Sequence, residues 1–219
     1  MFNVVHIDEK WFYMTKECEK YYLYHQGEQP LRTCKSKKFI VKVMFLAAIA
    51  RTRFDCSGNP TFDEKSGIFP FVFKELAKMS SKNHMPRDGG SVTEILIQQD
   101  NGKPHIDPTD PKFIETASRD GFDIHLSFQP PNSPDMNILD LGYFRAIQCL
   151  QHQEAPVSID ELILAVKKSF DQLSSESLNN VFLTLQSCMV EVMKNLGGHN
   201  YKVLHIGKHH LMKEGCLPL

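Results

Sequence analysis

Three aspartates of this chain stand where a function could maintain a carboxylate, whose oxygens suit a hard cation. Asp8 lies in the middle of the strand-like run Val4 to Phe12, where a carboxylate is disfavoured both by β propensity and by the loss of water. Asp100 closes the run Ile95-Leu96-Ile97-Gln98-Gln99, at the carboxyl end of a strand, which is where open α/β sheets hold their ligands. Asp140 falls in the first turn or so of a helix that follows the Pro-rich turn Gln129 to Pro134. Each also has a plain structural reading. Asp8 pairs with Lys10, Asp100 forms a turn with Asn101-Gly102, and Asp140 is a helix-start acid favoured by the helix dipole.

The elements that must position these acids are legible from periodicity. Val4 to Phe12, Tyr21 to His25 and Phe39 to Ala50 have strand character and read as a three-stranded meander; the last contains an apolar run fit for burial on both faces. Thr52 to Gly90 is loop-like, punctuated by glycine and proline, with only Phe71 to Met79 helix-compatible. A strand over Glu94 to Gln99, a helix over Lys112 to Arg119 after Pro111, and a strand over Phe122 to Phe128 form a β-α-β unit, which favours parallel pairing and so a mixed sheet. Helical spacing follows through Ile138, Leu141, Phe144, Ile147 and Leu150. Two further helices close the chain. One opens at Ser158 with Glu161 three residues later, a capping-box pattern. The other runs from about Ser177 to Lys194 and stops at Gly197-Gly198.

Three blocks around the acids, Val5-His6-Ile7-Asp8-Glu9-Lys10-Trp11-Phe12, Ile97-Gln98-Gln99-Asp100-Asn101-Gly102-Lys103-Pro104-His105, and Gln129-Pro130-Pro131-Asn132-Ser133-Pro134-Asp135-Met136-Asn137-Ile138-Leu139-Asp140, resemble the signature blocks of mariner-like DNA transposases. The 39 residues between Asp100 and Asp140, with aspartate in third place, resemble the plant-type branch of that family. The likeness continues through Phe45 to Ala48, Gly67 to Phe71, Phe144 to Gln148 and Leu183 to Met193, and so covers nearly the whole chain. It implies an α/β, RNase H-like fold: a mixed five-stranded sheet flanked by helices, with a C-terminal helical extension. Residues 1–155 are then the catalytic domain and 156–219 the helical extension of the same domain. It implies as well that Asp8, Asp100 and Asp140 are the catalytic metal ligands for two Mg²⁺ (or Mn²⁺) ions, Asp8 bridging both and the other two completing one each. The reaction implied is metal-dependent DNA phosphodiester cleavage and strand transfer, in the nucleus, with the phosphate backbone of transposon ends as partner; a homodimer is admitted but not required. Asp135 competes for the third position, but the block places the ligand five residues later. Glu9 is excluded because strand side chains alternate and it points away from Asp8. Trp11 is assigned to the core.

Net charge is −1, so no global basic signature marks a nucleic-acid binder. The distribution is uneven: residues 1–90 hold 15 Lys/Arg against 10 Asp/Glu, and the remainder holds 10 against 16. The excess is concentrated in Arg32, Lys35, Lys37, Lys38 and Lys42, then Arg51 and Arg53, a cluster able to grip phosphates or simply to keep a hairpin edge soluble. Lys103 and His105 flank Asp100 and are further candidates for phosphate contact, against the simpler reading of a surface histidine after a turn. The six cysteines are scattered without zinc spacing, which points to free thiols. No window approaches the roughly 18 apolar residues of a membrane span, and the start shows no signal peptide, so neither a membrane anchor nor secretion is expected.

Two departures from the family pattern stand out. The chain passes from Met1 straight into a strand, as if cut from something longer, and no helix-turn-helix region for recognising transposon ends precedes Val4. Between the third strand and Asp100, where the family carries an insert and a long helix, Thr52 to Val92 is shortened. Three readings stay open: a transposase catalytic domain in a truncated or degenerate copy, a non-enzymatic remnant that at most binds DNA or another subunit, and a nuclease on the same fold.

Overall fold

The computed structural model describes residues 2–14, 40–55, 60–62, 65–72, 94–102, 105–198, 200–202 and 207–208. Five strands, β1 (Val4–Tyr13), β2 (Lys42–Ala50), β5 (Lys65–Pro70), β6 (Glu94–Gln99) and β7 (Asp123–Phe128), form one sheet in the order β5-β2-β1-β6-β7. β2 pairs antiparallel with β1 and with β5, whereas β6 runs parallel to both β1 and β7, so the sheet is mixed. Two short strands, β3 (Arg53–Phe54) and β4 (Pro60–Phe62), make a separate two-stranded ribbon.

The period of 2 decides which face of the sheet is dry. In β2, Val43, Phe45, Ala47 and Ile49 are buried, and their partners across the ladder are Phe12, Lys10, Asp8 and His6. The buried side thus carries Asp8, and the apolar helices of the chain's second half cover it. α2 (Phe144–Gln151), α3 (Ile159–Gln172) and α4 (Ser175–Lys194) contribute Ile147, Leu162, Val166, Phe170, Leu178, Phe182 and Leu185 to the same core cluster as Phe12, Phe45 and Ile49. The C-terminal helices therefore share one core with the sheet. Their starts follow the cap chemistry: Ser158 accepts from the Glu161 N–H at 3.2 Å while the Glu161 carboxylate reaches back to the Val157 N–H at 2.9 Å, and Ser174 caps α4 through the Ser177 N–H at 3.2 Å. α1 (Pro111–Ala117) has Pro111 in its first turn and is capped by Asp110, which accepts from the Lys112 and Phe113 N–H groups.

Two sequence expectations need correction. The meander is not Val4 to Phe12, Tyr21 to His25, Phe39 to Ala50: β2 pairs directly with β1, and the third strand is β5, inside the stretch read as loop. Tyr21 to His25 lies outside the described residues. β5 escapes a pattern reading because it is a six-residue edge strand carrying Gly67 and Pro70, residues tolerated at an edge but not in a sheet centre. Trp11 is not core. It sits on the other face of the sheet, 41% exposed, with the Lys42 ammonium 4.2 Å from its ring centroid, and Phe69 on that face is exposed as well. Among the described residues, Cys149 and Cys188 are free thiols, and no helix is long and apolar enough to cross a membrane.

Candidate active site

Parallel pairing sets the geometry of the site. β1 and β6 run side by side in register Val4↔Leu96 and His6↔Gln98, so Asp8 and Asp100 both lie beyond the last paired residues, toward the carboxyl end of the parallel strands. β7 ends alongside, and the loop that follows it, fixed by the Gln129 N–H bonded to the Gln99 carbonyl at 2.8 Å, leads into the helix bearing Asp140. An open cleft of about 400 Å³ is lined by Asp100, Gly102, Gln129, Ser133, Asn137 and Asp140 among others.

Asp8 is 7% exposed. Its Oδ1 accepts the Glu9 backbone N–H at 2.7 Å and its Oδ2 accepts the Asn137 side-chain amide at 2.6 Å. Burial pushes its pKa up to about 6; the two donors pull it down, and the charges of Asp140 and Asp100 push it up further. Those charge effects place both acids within electrostatic reach of Asp8. A carboxylate has about four acceptor positions, and protein donors fill two of them here, so the group keeps oxygen lone pairs for a cation. All three acids offer hard oxygen, which suits Mg²⁺ or Mn²⁺.

Asp100 accepts the Gly102 N–H at 2.8 Å and meets His105 Nδ1 at 2.9 Å. A Cβ on Gly102 would fall 2.9 Å from Asp100 Oδ1, so any side chain there pushes that carboxylate aside. Asp140 sits in a π-helical turn, Leu139–Tyr143, between the buried Leu139 and Tyr143, and its own carboxylate is turned outward to the Lys10 ammonium at 3.0 Å. π-turns inside helices gather at functional sites. Lys10 is thus the partner of Asp140 and not of Asp8, the pairing expected from sequence. Among the described residues no three His, Cys, Asp or Glu side chains stand together as a ready metal site. The two outer acids are turned instead to a basic side chain each, Asp100 to His105 and Asp140 to Lys10.

His105 is largely buried, 13% exposed, and spans Asp100 and Glu9 (Nε2 to Oε2, 3.2 Å); these neighbours raise its pKa even though burial, the largest single influence, lowers it. It is therefore turned into the site, toward Asp100 and Glu9, and not a free surface histidine. Glu9, excluded for pointing away from Asp8, nevertheless touches the site through His105. Asp135 lies in the 3₁₀ turn Pro134–Met136 and its charge is felt by Cys188 of α4. Arg32, Lys35, Lys37, Lys38 and Lys103 lie outside the described residues. Sequence reasoning missed Asn137, 9% exposed and bonded to Asp8; its signal was a lone amide between the apolar Met136 and Ile138 at a helix start.

The chain aligns with a Mos1 strand transfer complex at a TM-score of 0.58 and 13% identity, covering 91% of this chain and 56% of that one. The fold is similar to that of the Mos1 mariner transposase. The Mos1 paired-end complex with the left transposon end (TM-score 0.55, 13% identity, 87% and 55% covered) and a Mos1 mariner paired-end complex with Mn (0.53, 12%, 91% and 57%) agree. This bears out the RNase H-like architecture of a mixed five-stranded sheet flanked by helices. The chain spans a little over half the length of these Mos1 chains. No protein-family model matches it, and neither does any curated protein sequence.

Proposed function

We propose that this chain is a transposase catalytic domain of the plant-type mariner branch, whose chemistry is metal-dependent cleavage and transfer of DNA phosphodiesters. One observation carries the reading: a buried aspartate, Asp8, held by Asn137 beside the helix that bears Asp140, in the middle of β1 just past its last pairing with β6, the strand that Asp100 follows. In this reading Asp8 faces both metal positions and Asp100 and Asp140 take one each. Two divalent cations held there supply activation of a water or a DNA 3′-hydroxyl and stabilisation of the leaving oxygen.

The chain's own residues prepare that chemistry. Asn137 and the Glu9 N–H fix the rotation of the Asp8 carboxylate, and burial of Asp8 strengthens every charge interaction it makes. Gly102 lets the backbone close on Asp100, and Asn101, donating to the Gln129 carbonyl at 2.7 Å, ties the Asp100 loop to the loop leading to Asp140. DNA is the substrate, gripped through its phosphates by the basic cluster Arg32, Lys35, Lys37 and Lys38 with Lys103. Two of the Mos1 structures are paired-end complexes, which supports a dimer for this chain too. Its place of action in this reading is the nucleus, where its DNA substrate is.

A second reading has its own support. Asp100 and Asp140 are turned to His105 and Lys10, and the stretch Thr52 to Val92 is shorter than the resemblance to mariner-like transposases implies, which favours a degenerate copy that binds DNA or a second subunit without cutting. Supercoiled plasmid with Mn²⁺ separates the two. Nicking by the wild-type chain that disappears in Asp8→Asn, Asp100→Asn and Asp140→Asn but survives Asp135→Asn supports the enzyme. No nicking at all favours the remnant, and equal loss in Asp135→Asn means the ligands are misassigned.

A further inference from the structure

Lys10 has no role in the reading above, yet it is the residue that touches Asp140. Two positions beyond Asp8 on β1, it projects from the same face of the strand, its Cβ roughly 7 Å further along. Its stem passes over Phe144, with the ammonium 5.5 Å from the ring centroid, and ends 3.0 Å from Asp140 Oδ1. Both partners are partly solvated, their side chains 37% and 43% exposed, so the pair holds the carboxylate weakly and can be parted. Asp140 lines the cleft, and Lys10 engages one of the two oxygens that it can offer a cation there, with its positive charge beside the other.

We propose that Lys10 is a counter-ion latch on the metal site: in the metal-free protein its ammonium neutralises Asp140 and holds that carboxylate outward, and a divalent cation must displace it in order to use Asp140 as a ligand. This rests on the metal-dependent reading of the site. The latch explains why Asp140 is not grouped with the other acids among the described residues although it lines the same cleft as Asp100 and its charge is felt by Asp8. It also gives a metal-free resting state in which one of the carboxylates that repel Asp8 is already paired.

The test is Mn²⁺ binding alone, followed by electron paramagnetic resonance of free Mn²⁺ with the whole chain at low salt, without DNA and without activity. Lys10→Met keeps the apolar stem on Phe144 and removes the charge; it tightens Mn²⁺ binding by roughly two- to fivefold, the range an exposed ion pair corresponds to. Lys10→Arg keeps the wild-type affinity or weakens it. Lys194→Met removes a lysine of an ion pair on α4 and changes nothing. The gain from Lys10→Met vanishes when Asp140 is already Asn, as a pairwise coupling requires. Wild type that binds no Mn²⁺ while Lys10→Met does is the strongest form of the same result. Unchanged or weaker binding in Lys10→Met, or a gain that survives Asp140→Asn, overturns the latch and leaves the metal reading standing. Silence from wild type and Lys10→Met together overturns both.

Discussion

Asn137 donates its side-chain amide to Asp8 Oδ2 at 2.6 Å, across 129 positions of sequence, while its own oxygen accepts the Leu139 N–H at 3.0 Å. One side chain thus joins the acid of the first strand to the start of the helix that carries the last. Replacing Asn137 by Ala leaves the buried Asp8 short of a donor, at a cost of about 1–3 kcal/mol. The Asp8 pKa then rises above about 6, because a donor that pulled it down is gone. Denaturant unfolding and the carboxyl carbon shift of Asp8 measure the two effects. A variant with wild-type stability and an unmoved Asp8 titration denies the bridge its role.

His6 and Asp8, neighbours on one strand face, give opposite pH dependences in the metal-free protein. Burial lowers the His6 pKa to about 4, so its contribution to stability is present above the ordinary histidine value near 6.5 and is lost as pH falls toward 4. Burial raises Asp8 to about 6, so its contribution is present below about 4 and is lost as pH rises through 6. The two slopes oppose each other between about pH 4 and 6. Relative to wild type, His6→Phe becomes less stable as pH rises through that window, and Asp8→Asn becomes more stable. Difference curves from thermal unfolding with a chelator present, taken against wild type, decide it; parallel curves for either variant contradict the assignment.

Gly102→Ala moves chemistry without moving stability. The added Cβ meets Asp100 Oδ1 at 2.9 Å and His105 Cε1 at 3.4 Å, and a flexible carboxylate gives way at little cost. The melting temperature stays within a few degrees of wild type, while metal-dependent DNA cleavage falls by about a hundredfold, the penalty for misplacing a reacting group by near 1 Å. Full activity in this variant means that the observed rotamer of Asp100 is immaterial.

Much of this arrangement was legible in the chain itself. Strands β6 and β7 with α1 between them, and helices α3 and α4, follow from apolar period and from caps whose chemistry is local: Asp110 before Pro111, and Ser158 with Glu161. The sites of failure share a cause, which is dependence on distant partners. Gly67 and Pro70 mark a turn by local rules, and only pairing with β2 makes them an edge strand. Lys10 is near Asp8 in sequence, but Asp8 is buried, and the lysine's long stem carries its charge to the cleft rim where Asp140 waits. Asn137 reads as a helix-start amide, and it does accept the Leu139 N–H; its bond to Asp8 leaves no local trace. His105 has the look of a surface histidine until Glu9 and Asp100 close on it from two strands.

In the proposed reading Asp8, Asp100 and Asp140 together hold two divalent cations, and anomalous diffraction from crystals of the chain soaked in Mn²⁺ can locate them. Two peaks roughly 3.5–4 Å apart in the cleft are expected, with Asp8 touching both, Asp100 and Asp140 touching one each, and the Lys10 ammonium withdrawn from Asp140. A cleft with no anomalous density at saturating Mn²⁺, or density on Asp135 in place of Asp140, would contradict that reading.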